Sequence, residues 1–182
     1  MKIRNISLIV ILGTLLFGCG SSKPAVSNAA LDTMMAQETF QIVVRAAEPQ
    51  VTTALARAGN SGLMRPGSTI SRVDLTGDGY FIKLEGEKAS IELPYYGERQ
   101  MGGGYGTDGG FTMADTPVKD LKITKDEKKK SYQVTFNVDN ASESLFFTID
   151  VGSSLSSTTM VTSAQRNRIR YTGNLAPLLK SE

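Results

Sequence analysis

The stretch YFIKLEGEKASIELPYY, residues 80–96, decides the fold class of this chain. Apolar and polar residues alternate on both sides of a short Gly-Glu-Lys turn that begins at Gly86. A period of two residues is typical of strands that bury one face. The stretch therefore predicts two antiparallel strands joined by a tight turn.

The same alternation continues outward from this stretch, and it covers most of the chain after Thr69. The further strands that it predicts are TISRVDL (69–75), VKDLKITK (118–125), SYQVTFNV (131–138), LFFTIDV (145–151), LSSTTMVT (155–162) and RIRYTG (168–173). Long helices do not alternate with these strands, which argues against a parallel α/β sheet. We predict a mainly β fold: a single antiparallel β-sandwich or open barrel of about eight strands, with a short N-terminal helix.

The helix is predicted in NAALDTMMAQE, residues 28–38, where Ala, Leu, Met and Gln dominate. The period then changes to two in TFQIVVRAA, residues 39–47, which favours a strand. One helix running through residue 47 is the competing interpretation. Residues 50–68 give no clear prediction beyond a short helix in VTTALARAG.

The N-terminus is predicted to be a lipoprotein signal peptide. Lys2 and Arg4 precede the apolar run ISLIVILGTLLF (6–17), which is short for a membrane span. The run ends at LFGC, which resembles a bacterial lipobox with Cys19, the sole cysteine, as the acylated residue. We predict a signal peptide at 1–18, a flexible tether at 19–27 and one mainly β domain at 28–182.

These features predict a protein of the bacterial cell envelope, held to a membrane by lipid on Cys19, and we expect the outer membrane. Without Lys2 and Arg4 the chain carries 18 basic and 18 acidic residues. A neutral body gives no reason to expect nucleic acid as a partner.

The composition also limits the chemistry. The chain has no histidine, and its one cysteine is assigned to lipid. Catalytic triads, thiol nucleophiles and histidine-ligated zinc are therefore excluded. No cofactor, metal site or catalytic residue is predicted.

Two motifs resemble ligand loops but lack the required context. Residues 104–109 have the spacing GxGxxG, yet FTMADTPVKD follows, and Pro117 makes the helix of a dinucleotide site improbable. Residues 74–85, DLTGDGYFIKLE, match the spacing of a calcium loop, but both flanks alternate as strands. Asp78-Gly79 between alternating runs instead predicts a hairpin turn.

Arg166, Arg168 and Arg170 alternate, which predicts three guanidinium groups on one face of the last strand. They could bind an anion, although a solvated stripe paired with carboxylates on neighbouring strands is the more common arrangement.

The best candidate site is the glycine-rich segment PYYGERQMGGGYGTDGG, residues 94–110. Aromatic residues on a glycine frame suit a pocket rim, and a packed structural loop is the alternative. The predicted rim of a ligand or partner site comprises Tyr95, Tyr96, Arg99, Tyr105, Asp108 and Phe111.

Three segments resemble the domain of unknown function 4251 family. Residues 93–99, LPYYGER, resemble its Leu-Pro-Tyr-Phe-Gly-Arg motif, with Tyr for Phe and Glu98 inserted. Residues 105–110 resemble Tyr-Gly-Gly-Asp-Gly-Gly, and residues 166–173 its closing Arg-x-x-Ile-x-Tyr-x-Gly. The resemblance implies a small, mostly β, secreted or lipid-anchored envelope protein, and it implies no activity.

Three functions remain open from the sequence. The leading hypothesis is a non-enzymatic binding module for a small molecule, a glycan or a protein partner. The alternatives are a carboxylate-dependent envelope hydrolase, which needs two acids in one cleft, and an assembly subunit, which needs an exposed apolar patch.

Overall fold

The computed structural model describes residues 27–52, 56, 66–97, 109–140 and 143–178. Within these ranges a helix, α1 (Ala29–Ala36), precedes the strands. The strands are β1 (Thr39–Pro49), β2 (Val73–Asp74), β3 (Phe81–Glu85), β4 (Lys88–Leu93), β5 (Phe111–Asp126), β6 (Ser131–Asn140), β7 (Glu143–Val151), β8 (Ser156–Ser163) and β9 (Ile169–Ala176).

Eight of the described strands close into an antiparallel barrel in the order β1-β3-β4-β5-β6-β7-β8-β9. The barrel closes because β1 pairs with β3 along one edge and with β9 along the other. The predicted mainly β class, with about eight strands and a short N-terminal helix, is confirmed. Of the sandwich and the barrel, the barrel forms, and the β1–β9 seam closes it.

Alternate side chains of the strands fill the barrel. Phe136 and Phe147 are fully buried and stack with their ring centroids 5.0 Å apart. An eight-stranded barrel has an interior just wide enough for side chains, and burying each large apolar side chain stabilises the fold by about 1.5–3 kcal/mol.

Helix α1 packs across one end of the barrel. Leu31, Met34 and Met35 are buried there. The side chain of Asn28 caps the helix by accepting hydrogen bonds from the amides of residues 30 and 31, and its Nδ2 donates to Ser153 O at 2.9 Å. The predicted helix is confirmed, and the strand prediction for residues 39–47 is correct. No helix in the described ranges is long and apolar enough to cross a bilayer.

A small polar cluster fixes α1 to the β5–β6 turn. Tyr132 Oη donates to Asp32 Oδ1 at 2.6 Å, and Lys125 Nζ lies 3.0 Å from the same oxygen. The hydrogen bond from Tyr132, followed by that from Lys125, lowers the pKa of Asp32. The bond to Asp32 raises the pKa of Lys125 to about 12. The helix is therefore held by polar contacts as well as by its apolar face.

The predicted hairpin at Asp78-Gly79 is wrong. Strands β2 and β3 both pair with one edge of β1, as the partners Ala47–Val73 and Val43–Phe81 show. Backbone bonds from Leu75 N to Arg45 O and from Val44 N to Tyr80 O continue the same ladder. Residues 76–79 are left out of this pairing with β1, and the chain then continues along β1 in the same direction, so no hairpin forms. The strand expected at 69–75 is reduced to β2.

The barrel has two different ends. The helix end carries α1 and the turns at 86–87, 127–130 and 152–155. The motif end carries residues 94–97, 109–110 and 164–168, which follow or precede the other ends of the same strands. The residue described first, Ser27, enters at the helix end, and the candidate site lies at the motif end.

Candidate functional site

A buried ion pair occupies the centre of the motif end. The side chains of Arg166 and Glu143 are 4% and 2% exposed, and Arg166 Nη2 lies 2.5 Å from Glu143 Oε1. Arg166 Nη1 donates to the carbonyl of Gly109 at 2.6 Å, and Ser163 Oγ donates to Glu143 Oε2 at 2.7 Å. The pair therefore ties the segment before β9 to the start of β7 and to the chain entering β5.

Two aromatic rings pack against the guanidinium of Arg166. Its Cζ lies 5.2 Å from the ring centroid of Tyr95 and 4.7 Å from that of Phe111. The two rings meet edge to face, with their centroids 5.6 Å apart. Contacts between a cation and an aromatic face are strongest when they are desolvated, as they are here.

Two tyrosine hydroxyls fix the backbone of the motif end. Tyr95 Oη donates to Asn167 O at 2.9 Å, and Tyr171 Oη donates to Pro94 O at 2.7 Å. Burial raises the pKa of Tyr171 well above its usual value. The Tyr171 hydroxyl consequently stays protonated and remains a donor throughout the physiological pH range.

The prediction of three arginines on one face is corrected by this arrangement. Arg166 precedes β9 and is buried, whereas Arg168 and Arg170 are exposed on the outer wall. The alternation fails at Arg166 because this residue lies in the connection between β8 and β9, where the strand period does not apply.

A cleft of about 330 Å³ opens beside this core. The rings of Tyr80 and Tyr95 contribute to its walls, together with the exposed side chains of Glu92 and Thr112. Gly109 and Gly110 bring bare backbone to the cleft, and a Cβ at Gly110 would lie 2.5 Å from Leu93 O. The cleft is open, and its lining presents more polar than apolar surface, with Glu92, Thr112 and the glycine backbone beside the tyrosines.

The predicted site residues separate into three groups. Tyr95 lines the cleft. Phe111 is buried behind it, and Tyr96 is half-buried against the core. Arg99, Tyr105 and Asp108 lie outside the described residues, as does Cys19.

Residues at the motif end that the sequence interpretation missed include Glu143, Tyr171, Tyr80 and Glu92. The sequence of β7 does point to Glu143, because Glu143 lies on the same inward face of the strand as the buried residues Leu145 and Phe147. A carboxylate on the inward face of a strand predicts a buried partner, since an unpaired buried charge is strongly destabilising. Tyr80 and Glu92 come together through the β3–β4 hairpin, which the alternation of residues 80–96 predicts, so their proximity could have been read from the sequence.

The loop with calcium-site spacing has strands, not helices, around it. Its first carboxylate is engaged locally, because Asp74 Oδ1 accepts from Thr76 N at 3.1 Å and from Thr76 Oγ1 at 2.8 Å. No group of three or more His, Cys, Asp or Glu residues suited to a metal ion occurs among the described residues.

Comparison with known proteins agrees with the fold. The chain resembles the crystal structure of a DUF4251 family protein from Bacteroides eggerthii, with a TM-score of 0.55 and 16% sequence identity over 87% of this chain and 92% of that chain. No curated protein matches the chain. The model of the family described as Domain of unknown function (DUF4251) matches residues 23–175. Since this match spans most of the sequence, the chain belongs to the DUF4251 family.

Proposed function

We propose that the protein is a non-enzymatic binding module of the bacterial envelope, and that it takes a saccharide in the motif-end cleft. The observation that carries the proposal is the cleft itself, where two tyrosine rings and a carboxylate surround bare glycine backbone. Its volume of about 330 Å³ falls at the small end of the range for ligand sites.

The chemistry of the lining fits a sugar ring. A saccharide has an apolar C–H face and an edge of hydroxyl groups. Tyr80 and Tyr95 offer ring surface to the first, while Glu92 and Thr112 offer acceptors and a donor to the second. The backbone of Gly109 and Gly110 can approach the ligand closely, because no side chain intervenes.

The wall of the cleft is held in place before any ligand arrives. Tyr95 is fixed by its bond to Asn167 O and by Arg166 beneath its ring, and Gly109 is fixed by the bond from Arg166. A site whose groups are already ordered loses less conformational entropy on binding.

The two alternative functions have less support among the described residues. Glu92 is the single carboxylate among the described residues that line the cleft, whereas glycoside hydrolysis ordinarily requires two. The large exposed apolar side chains in the described ranges, Val43, Val51 and Phe146, lie on separate elements and form no row along neighbouring strands. They give little basis for an assembly surface.

The cleft can be tested with ligand-observed saturation-transfer NMR against a panel of mono- and disaccharides that includes N-acetylated and acidic sugars. We expect at least one to bind, and we expect Tyr80→Ala and Glu92→Gln each to weaken its Kd by about tenfold. Lys122→Ala, on the outer face of β5, is the matched control and should bind like the wild type. The proposal fails if no saccharide binds, or if all three variants bind equally.

We also propose that lipid on Cys19 anchors the protein. The predicted tether, residues 19–27, has nine residues and therefore spans at most roughly 30–32 Å. Because it joins the barrel at the helix end, the motif-end cleft would face away from the membrane, toward ligands in the surrounding compartment.

Replacing Cys19 with alanine should remove the lipid anchor. The expected result is that the variant leaves the membrane fraction or accumulates as an unprocessed precursor, because no other thiol is available for acylation. Membrane fractionation of the producing bacterium, with metabolic labelling by an alkyne fatty acid, measures both effects. Unchanged fractionation and labelling would contradict the anchor and would leave the cleft proposal intact.

A further inference from the structure

A second, chemically different groove lies on the outer wall where β1 and β9 meet. It has a volume of about 320 Å³, and Arg168, Arg170, Glu48, Gln50 and Ser71 contribute to its lining. Arg168 and Arg170 point to the same side because they are two residues apart in an extended chain. Among the described residues, this groove shares no lining residue with the saccharide cleft.

Positive charge exceeds negative charge around this groove. Arg72 Nη1 lies 2.5 Å from Glu48 Oε1, and Arg170 Nη1 lies 3.5 Å from Glu48 Oε2. Glu48 thus holds a guanidinium on each side. Arg168 is exposed, and among the described residues no carboxylate pairs with it. Among the described residues, the lining has two arginines and one carboxylate, a charge of +1. Arg72, which pairs with Glu48 beside the lining, raises the local charge to +2, although the body of the protein is neutral overall.

Partial pairing also orients the arginines. The side chain of Glu48 is 26% exposed, whereas those of Arg72 and Arg170 are each 51% exposed. The two guanidinium groups therefore extend into solvent, while the carboxylate between them is partly enclosed. Arg72 Nη1 lies 3.4 Å from Thr172 Oγ1 as well. Guanidinium groups have five N–H donors, and a single carboxylate leaves several of them free to bind oxygen atoms of a ligand.

We propose that this groove binds a phosphate-type oxyanion, with Arg168 and Arg170 as the principal donors and Ser71 and Gln50 as polar contacts. Planar guanidinium forks match the oxygen spacing of phosphate and carboxylate groups, and they bind them through charge-assisted hydrogen bonds. The phosphate can be a free or sugar-linked phosphate in solution, or the headgroup of an anionic lipid; the second requires the tethered barrel to turn its motif end toward a membrane. This proposal stands independently of the saccharide cleft.

The test is a titration of the ¹⁵N-labelled Cys19→Ala protein with inorganic phosphate, followed by amide chemical shifts at constant ionic strength. The expected result is a saturable shift confined to the amides of residues 48, 50, 71–72 and 168–170, with none on addition of matching sodium chloride. Non-saturable shifts, or shifts spread over the surface, would show screening by salt instead of a site and would overturn the proposal.

Two charge variants sharpen the test. Arg168→Ala removes a side chain without an ion-pair partner among the described residues, so the fold should be unchanged while the Kd for phosphate weakens by about tenfold. Arg168→Glu should abolish the saturable shift. Lys122→Ala removes one positive charge from the opposite wall and should leave the Kd unchanged. If Lys122→Ala weakens binding as much as Arg168→Ala does, net charge is responsible and the groove is not the site.

A vesicle experiment identifies the source of the anion. The Cys19→Ala protein is sedimented with vesicles of phosphatidylcholine alone or with added phosphatidylglycerol. Sedimentation that depends on phosphatidylglycerol and on Arg168 would assign the groove to a lipid headgroup. Saturable binding of inorganic phosphate without such sedimentation would assign it to a soluble phosphate. Loss of both signals would reject the site.

Discussion

Replacing Gly173 with alanine should destabilise the protein by about 3 kcal/mol or more, at the upper end of the range for overpacking a core. A Cβ at this position would lie 2.3 Å from the carbonyl oxygen of Val43 and 3.1 Å from Val44 Cα. Both contacts are with backbone, so no side-chain rotation relieves them. Gly173 lies opposite the bulge in β1, where the register shifts between Val44 and Ala46, and it permits the close approach of the two strands that close the barrel.

Thermal unfolding followed by circular dichroism measures this effect. A loss of this size should lower Tm by about 6–12 °C in a chain of this length. Gly109→Ala is the matched control, because the nearest atom of a described residue to a Cβ at that position would be Tyr95 O at 3.7 Å, which is an ordinary contact. Equal melting temperatures for the two variants would contradict the close β1–β9 seam.

Replacing Arg166 with methionine should cost about 3–5 kcal/mol, because Glu143 would remain buried without its positive partner. The same change removes the donor to Gly109 O and the cation beneath Tyr95 and Phe111. Urea unfolding of the wild type and the variant gives the free energy of unfolding. The variant should also loosen the wall of the saccharide cleft and so weaken ligand binding.

The double variant Arg166→Met/Glu143→Leu shows whether the loss of stability in Arg166→Met comes from the unpaired buried charge of Glu143 or from lost packing. Removing both charges should restore part of the stability that the single variant loses, because no buried charge is then left unpaired. Lys119→Met, which breaks an exposed pair with Asp139 (Lys119 Nζ to Asp139 Oδ2, 2.6 Å), is the control and should leave the urea midpoint close to that of the wild type. If the double variant is less stable than either single variant, the desolvated charge is not the main cause of the loss.

Much of the fold is predictable from local sequence, because alternation reports which face of a strand is buried. The prediction is good for β3, β4, β6 and β7, where each strand pairs with a sequence neighbour across a short turn. It fails at residues 69–80, because the partner of that segment is β1, 26 to 36 residues earlier, and Asp78-Gly79 carries no signal about a distant partner. Barrel closure is unpredictable for the same reason.

The candidate site was predictable in its location and less so in its composition. A glycine frame with tyrosines points to residues 94–111, and Tyr95 does line the cleft. The central role of Arg166 was not predictable from its alternation with Arg168, since burial depends on where β9 begins. Glu143 and Arg166 are separated by 23 positions and meet only because β7 and β8 return to the same end of the barrel.

The β1–β9 seam also determines when the fold can be completed as the chain is made. Its partners, from Pro49–Ile169 to Gln41–Ala176, are separated by 120 to 135 positions. Pairing across such separations slows folding, because the entropy of closing a long loop is lost before the contacts form. Until the last strand leaves the ribosome, β1 and β8 each present an unpaired edge, which is the feature that promotes aggregation of nascent β proteins. We therefore expect closure of the β1–β9 seam to be the late, slow step in folding of the barrel.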